Sequence, residues 1–296
     1  MTERKLSFAI FGSASKALES IRIKELLGYL AQHEADIYLE QGFFHALENK
    51  LQEDLKIASV FEGVNFDVDY VISLGGDGTF LKAASKVGPK QTPIIGVNMG
   101  RLGFLASVVP DEAQSILDDV FAGDVEIEER AVMQLEALGE PLEGCPYALN
   151  DIAILKRDNA AMISIKATVN GEYLTTYLAD GLVISTPTGS TAYSLSVGGP
   201  IIVPQSDIFS MTPVAPHSLN IRPIVISDKA EITLEVESRS HNFLAAVDGR
   251  SEKLREGVTL KIRKASHKVR IVKRKEQHFF STLREKLMWG ADTRKF

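Results

Sequence analysis

The sequence predicts a chain in two parts: an α/β N-terminal domain with a parallel sheet, then a β-rich, sandwich-like C-terminal domain. Three observations predict it. The chain has 296 residues, which at about 150 residues per domain suggests two domains. Roughly its first 120 residues alternate short apolar runs with longer segments whose apolar residues recur every three or four positions, the pattern of βαβ units. After Gly123 the texture changes to short β-rich runs separated by turn signals.

Residues 6–11, 35–39, 70–74 and 93–97 are the apolar runs suited to buried strands, and residues 16–32 and 43–57 read as amphipathic helices between them. A helix over 111–121 is entered at Pro110, carries acids in its first turn and has Gly123 beyond its end. In the second half, residues 125–138, 147–155, 162–169, 173–178, 182–185, 223–226, 232–236, 244–247, 258–262 and 269–272 are candidate strands. Asn170-Gly171 is a hairpin signal, because both residues tolerate positive φ. Residues 279–289 read as a last helix, whose apolar stripe docks either on the first domain or on a neighbouring subunit. The expected boundaries are 1–124, 125–277 and 278–296.

Charge and cysteine content narrow the function classes. With 33 basic and 39 acidic residues the net charge is −6, which favours neither nucleic acid nor an anionic membrane. The single cysteine, Cys145, can form no internal disulfide and no thiolate metal cage, which fits a reducing cytoplasm. The apolar run 6–11 is short for a signal peptide, and no stretch reaches the 18 apolar residues of a spanning helix. Residues 261–275 hold eight Lys or Arg and no acid, yet their alternation with Ile262, Val269, Ile271 and Val272 fits a strand pair with a solvated face better than a nucleic-acid hairpin.

The chemistry concentrates in a few places. Residues 71–82 run from a buried strand through Gly75, Gly76 and Gly78 into a helix, a context in which backbone N–H groups and a helix N-terminus can meet phosphate oxygens. It is neither GxxxxGK[ST] nor GxGxxG. Asp77 stands among these glycines, where an acid repels phosphate, so it needs another reason: proton acceptor, cation holder or helix cap. Lys82 follows about one turn into the helix, as a phosphate partner or a solvated lysine. Residues 185–196 gather seven hydroxyls around Tyr193, which suits a polar ligand with a ring or an ordinary Ser/Thr turn. Taken alone, Asn150-Asp151 is turn chemistry after a strand.

Residues 75–79, Gly-Gly-Asp-Gly-Thr, resemble the motif shared by NAD kinases, diacylglycerol and sphingoid kinases and, more distantly, phosphofructokinases. Residues 98–104 (NMGRLGF), Asn150-Asp151, the specific segment 180–200 and Pro216-His217-Ser218-Leu219 narrow the resemblance to the bacterial NAD kinases, over roughly residues 70–250. The resemblance implies an ATP-dependent kinase that phosphorylates the 2′-hydroxyl of the adenosine ribose of NAD to give NADP. On this reading Asp77 is the general base. Gly75, Gly76, Gly78, Thr79 and Lys82 hold the donor phosphates, with Mg²⁺ carried on those phosphates rather than in a protein cage. The NAD-binding residues it implies are Asp77, Gly78, Lys82, Asn150, Asp151, Ala161, Asp180, Thr191, Ala192, Tyr193, Ser194, Leu195, Ser196, Ala215 and Arg250. It further implies a nucleotide-binding first domain, an NAD-binding second domain and a cytoplasmic homo-oligomer, dimer or tetramer.

The chain departs from the family pattern in three places. Asp151 stands where many members have Glu, Ala161 where many have His or another polar residue, and Arg250 where an amide is frequent. His217 is either a ligand contact or a structural histidine. A lipid kinase of the same superfamily and a non-catalytic NAD(P) sensor are the rival readings. The polar loop around Tyr193 counts against the first, and Asp77 against the second.

Overall fold

The computed structural model describes residues 5–13, 20–47, 57–100, 103–157, 161–273 and 278–290. The chain divides into two compact units, Met1–Glu129 with Val269–Phe296, and Arg130–Lys268.

The first unit is α/β. Its elements are β1 (Ser7–Gly12), α1 (Ser20–Gln32), β2 (Asp36–Glu40), α2 (Gln41–Leu47), β3 (Ser59–Phe61), β4 (Tyr70–Gly75), α3 (Asp77–Val87), β5 (Ile94–Asn98), α4 (Ala113–Ala122) and β6 (Glu126–Arg130). Three helices bury the same stripe, at positions i, i+3, i+4 and i+7. These are Ile23, Leu26, Leu27 and Leu30 of α1, Phe80, Ala83, Ala84 and Val87 of α3, and Ala113, Ile116, Leu117 and Val120 of α4. The first and last sets join Phe8, Ile10, Ile72 and Leu74 in one core. Gly123 ends α4 in the left-handed region at φ 70°. The sheet order is β3-β2-β1-β4-β5-β19-β6, where β19 (Val269–Lys273) returns after the second unit. β1 pairs in parallel with both β2 and β4, so the strand order reverses at β1 and the loop after β4 lies at a switch point.

The second unit is a sandwich. It runs through β7 (Met133–Leu138), β8 (Tyr147–Ala148), β9 (Asp151–Lys156), β10 (Ile163–Val169), β11 (Glu172–Ala179), β12 (Gly181–Ser185), α5 (Tyr193–Ser196), β13 (Ile208–Val214), β14 (Ile224–Ser227), β15 (Ile232–Glu237), β16 (Asn242–Val247), β17 (Arg250–Arg255) and β18 (Thr259–Lys264). One antiparallel sheet has the order β11-β10-β15-β18-β7-β8 and the other β14-β13-β12-β9-β16-β17. Their inner faces share a core containing Ile165, Leu234 and Ile262 from the first sheet with Ile154, Ile184 and Phe243 from the second. Among the described residues no helix is long and apolar enough to cross a membrane.

The expected α/β class and sandwich are both present, with local differences. The run 125–138 divides at residues 131–132, so that β6 joins the parallel sheet and β7 the sandwich. Likewise 269–273 is a strand of the parallel sheet, beside β5, rather than the hairpin partner of β18. The basic side chains are solvated, as expected, and stand beside carboxylates: Lys261 meets Glu231 at 3.5 Å, Arg263 meets Glu136 at 3.6 Å and Arg270 meets Glu129 at 3.6 Å. β13 had no sequence signal because Pro213 lies within it, and β17 none because its composition is charged. The first part of the helix expected over 16–32 (residues 16–19) and most of the later part of that expected over 43–57 (residues 48–56) lie outside the described residues, as do Arg101, Leu102 and residues 274–277. The hairpin turn at Asn170-Gly171 has φ of 52° and 82°, both in the left-handed region. The last helix is α6 (Phe279–Leu287), clustered with the first unit.

Candidate active site

In the first unit the glycines divide by what surrounds them. A Cβ on Gly75 would lie 2.2 Å from Thr79 Oγ1, and one on Gly103 would lie 1.9 Å from Asp77 Oδ1, so chain packing accounts for both. Gly76 and Gly78 are different. Among the described residues a Cβ on either meets nothing within 4 Å, and neither residue has positive φ. Gly78 even sits inside α3, where glycine costs about 1 kcal/mol relative to alanine. Nothing among the described residues asks for these two glycines, and they leave an open approach to the N-terminus of α3.

Asp77 is the first residue of α3, and its carboxylate clamps the turn that follows β5. Oδ1 accepts the backbone N–H groups of Leu105 at 3.1 Å and Ala106 at 3.0 Å, and Oδ2 accepts that of Phe104 at 3.0 Å. Lys286 of α6 lies 3.5 Å from Oδ2. Asn98 supports the same turn, receiving the Gly100 N–H at 2.8 Å and donating to the Ala106 carbonyl at 3.2 Å. Lys82 turns to Glu40, with its Nζ 3.0 Å from Oε1, while the other Glu40 oxygen accepts the Phe43 N–H at the start of α2. The lysine expected at the phosphates is thus held by a carboxylate, which the sequence could not show across 42 residues.

In the second unit a parallel arrangement surrounds Asn150 and Asp151. Asp248 occupies the tight turn between β16 and β17, at φ 47° followed by Gly249 at 77°. Its Oδ2 accepts the Leu149 N–H at 2.9 Å, and Oδ1 accepts those of Asn150 at 2.8 Å and Asp151 at 3.1 Å. Burial raises the Asp248 pKa, opposed by these hydrogen bonds and by Arg250. Arg250 donates to the backbone carbonyls of Val247 and Tyr147, at 3.1 and 3.2 Å. Asp248 escaped the site reading, although Asp-Gly is itself a turn signal.

Asn150 and Asp151 carry unmet needs. Asn150 is buried, and among the described residues its Oδ1 has no hydrogen-bond partner. The Asp151 carboxyl is pushed up to about 7, first by burial and then by the neighbouring Asp248 charge, with the Tyr193 backbone N–H acting the other way. A buried acceptor without a donor and a carboxylate that resists ionisation both weaken a fold. A turn chosen only for stability has no use for them.

The hydroxyl-rich loop is mostly self-satisfied. Thr186 accepts the Gly189 N–H and donates to the Leu149 carbonyl, Ser190 donates to Pro187 and accepts from the Ile202 N–H, and Ser194 bonds to Thr212. Thr188 accepts from Arg130, and Thr191 donates to Thr188. These groups shape the loop, which brings Tyr193 against Asp151. Tyr193 and Ser196 are exposed on α5, with Ala192 and Leu195 half-buried beside them.

The remaining predicted residues lie elsewhere. Asp180 pairs with Lys156 at 2.6 Å, and its backbone N–H donates to Val214 beside Ala215, an exposed residue at φ 43°. The register of β12 on β9 places Gly181 opposite Leu155 and Ser185 opposite Asp151. Asp180 and Ala215 are therefore at the opposite strand end from Asn150-Asp151, about 15 Å away at 3.3 Å per residue. His217 belongs to that far end too, donating its N–H to Leu178, and half-buried Ala161 precedes β10.

Comparison with known proteins accords with this architecture. Residues 9–125 match the model of the ATP-NAD kinase N-terminal domain, and residues 149–274 match that of the ATP-NAD kinase C-terminal domain. The NAD kinase of Bacteroides fragilis is 55% identical over 289 residues, covering 98% of this chain and 100% of the relative. That of Porphyromonas gingivalis is 45% identical over 286 residues, covering 97% and 99%. Among solved structures, the NAD kinase of Archaeoglobus fulgidus in complex with ATP has a TM-score of 0.73 at 26% identity, covering 96% of this chain and 99% of that one. Yeast NADH kinase complexed with NADH shares the fold, with a TM-score of 0.87 at 23% identity over 100% of this chain and 91% of that one. With both family domains matched in order and these relatives aligned along nearly its whole length, the chain belongs to the NAD kinase family.

Proposed function

We propose that this protein transfers the γ-phosphoryl group of ATP to the 2′-hydroxyl of the adenosine ribose of NAD, giving NADP and ADP. The observation that carries the donor side is the pair of glycines, Gly76 and Gly78, that the fold itself does not require. The donor phosphates lie along this open approach, within reach of the first N–H groups of α3. On the acceptor side, Asn150 and Asp151 bind NAD, and the ligand meets the polar needs the chain leaves open. Asp77 accepts the ribose hydroxyl proton as that oxygen bonds to the γ-phosphorus and the bond to ADP breaks.

A divalent ion such as Mg²⁺ would supply charge neutralisation to the donor's phosphates. Among the described residues no three His, Cys, Asp or Glu side chains gather to hold one, and on this reading the ion would arrive on the donor's phosphates. The same reading places the enzyme in the cytoplasm as a homo-oligomer. The test is NADP formation from NAD and Mg-ATP by the purified chain, which should stop on chelation with no fall in the nucleotide-free melting temperature. Failure to form NADP overturns the proposal, and a melting point that drops with chelator reveals a structural metal instead.

Gly78→Ala separates fold from function. The substitution should stabilise α3 by about 0.5 to 1 kcal/mol, because a helical position with free space gains from alanine. The added methyl obstructs the approach to the N-terminus of α3, so affinity for Mg-ATP should fall at least tenfold while the melting temperature rises. Unchanged affinity would mean that the donor lies elsewhere.

A further inference from the structure

Lys286 stands on α6, beyond residue 274 where the C-terminal family match ends. Its Nζ lies 3.5 Å from Asp77 Oδ2 and 4.5 Å from the centre of the Phe104 ring. Phe104 gives its backbone N–H to the same carboxylate oxygen, and the Phe279 ring centre on α6 lies 6.4 Å from that of Phe104. Carboxylate, ring and ammonium form one contact set within the first unit, the ring face holding the cation by its quadrupole. Both charged side chains are 30% exposed, so solvent reaches them from one side and a ligand can do the same.

This contact answers the difficulty posed by an acid among phosphate-binding glycines. A carboxylate between Gly76 and Gly78 repels any phosphate that approaches the N-terminus of α3. Lys82 does not relieve the repulsion, since its ammonium is held 3.0 Å from Glu40. We propose that Lys286 is the counter-ion of Asp77, cancelling the carboxylate's charge so that a nucleoside triphosphate can bind beside it. Lys286 is a positioning residue in this account, acting through Asp77 rather than on the ligand. The proposal rests on the reading that the donor triphosphate occupies the glycine loop.

Calorimetric titration with Mg-ATP and with adenosine tests it, on the wild type and on Lys286→Met, Lys286→Arg, Asp77→Asn and the Asp77→Asn/Lys286→Met double variant. Lys286→Met keeps the stem on Phe104 and removes the charge, so Mg-ATP should bind at least tenfold more weakly while adenosine, which carries no phosphate, changes less than about twofold. Lys286→Arg should stay within about threefold of wild type. The double variant should recover most of the lost affinity, because the unpaired carboxylate has gone too. A lysine that contacts phosphate directly, or one that merely braces α6, predicts no such recovery. Wild-type affinity in Lys286→Met, or a double variant as weak as the single one, overturns the proposal. If Lys286→Met does not fold, Lys286→Gln takes its place in the same cycle with the same expected outcomes. Wild-type protein that binds no Mg-ATP refutes the donor site itself, an outcome distinct from equal binding by wild type and variant.

Discussion

Asp77→Asn is expected to lower turnover by a factor on the order of 10² to 10⁴, the range seen when a general base is removed. The structure adds a second consequence. The Asp77 carboxylate accepts three backbone N–H groups from residues 104–106, and an asparagine amide facing one of them sets donor against donor. That mismatch costs about 1 to 3 kcal/mol, enough to lower the melting temperature visibly. The two effects separate when turnover is measured per folded molecule, at a temperature well below the variant's own transition and in protein free of host kinase. A base predicts that kcat falls with NAD affinity held within a few-fold. A clamp predicts that NAD or Mg-ATP binding weakens in step with the melting point while kcat of the bound complex survives. Wild-type kcat in the Asn variant would refute the assignment of Asp77 as base.

Replacing both Asn150 and Asp151 with alanine should reduce NAD affinity by about 30-fold to 10⁴-fold, at about 1 to 3 kcal/mol for each of two ligand groups left unpaired. Mg-ATP affinity should change much less, since those residues and the glycine loop belong to different units of the chain. Stability provides the sharper contrast. The Asp151 carboxyl titrates near 7 in the folded protein against 3.8 in its absence. Between those values the unfolded chain has released a proton that the folded chain retains, so folding stability falls as pH rises, by a few kcal/mol at most once pH 7 is passed. The double variant escapes this loss and also lacks the unpartnered Asn150 Oδ1. Its melting temperature relative to wild type should therefore improve from pH 5 to pH 8, as NAD binding is lost. A turn built for stability predicts the reverse, a lower melting temperature at both pH values with NAD affinity intact.

What the sequence determined by itself is local in its physics. Helical stripes at i, i+3, i+4 and i+7, the Asn170-Gly171 hairpin and the Gly123 helix end each follow from backbone preferences within a few residues, and all are legible without the fold. So is the glycine loop, and the family motifs along the chain were enough to name its chemistry. Long-range pairing decided the rest. Whether 269–273 joined a sandwich or a parallel sheet depended on which partner strand lay open, and Pro213 hid a buried strand that its neighbours β12 and β14 hold in place. The hydroxyls of residues 186–194 read alike in sequence, yet tertiary contacts commit most of them to the loop itself. Lys82 stood near Asp77 in sequence and is bound to Glu40, whereas Lys286, 209 positions from Asp77, reaches its carboxylate. Ionic contacts and buried unpaired groups depend on distances that only a folded chain sets, so they leave no periodicity for a sequence to carry.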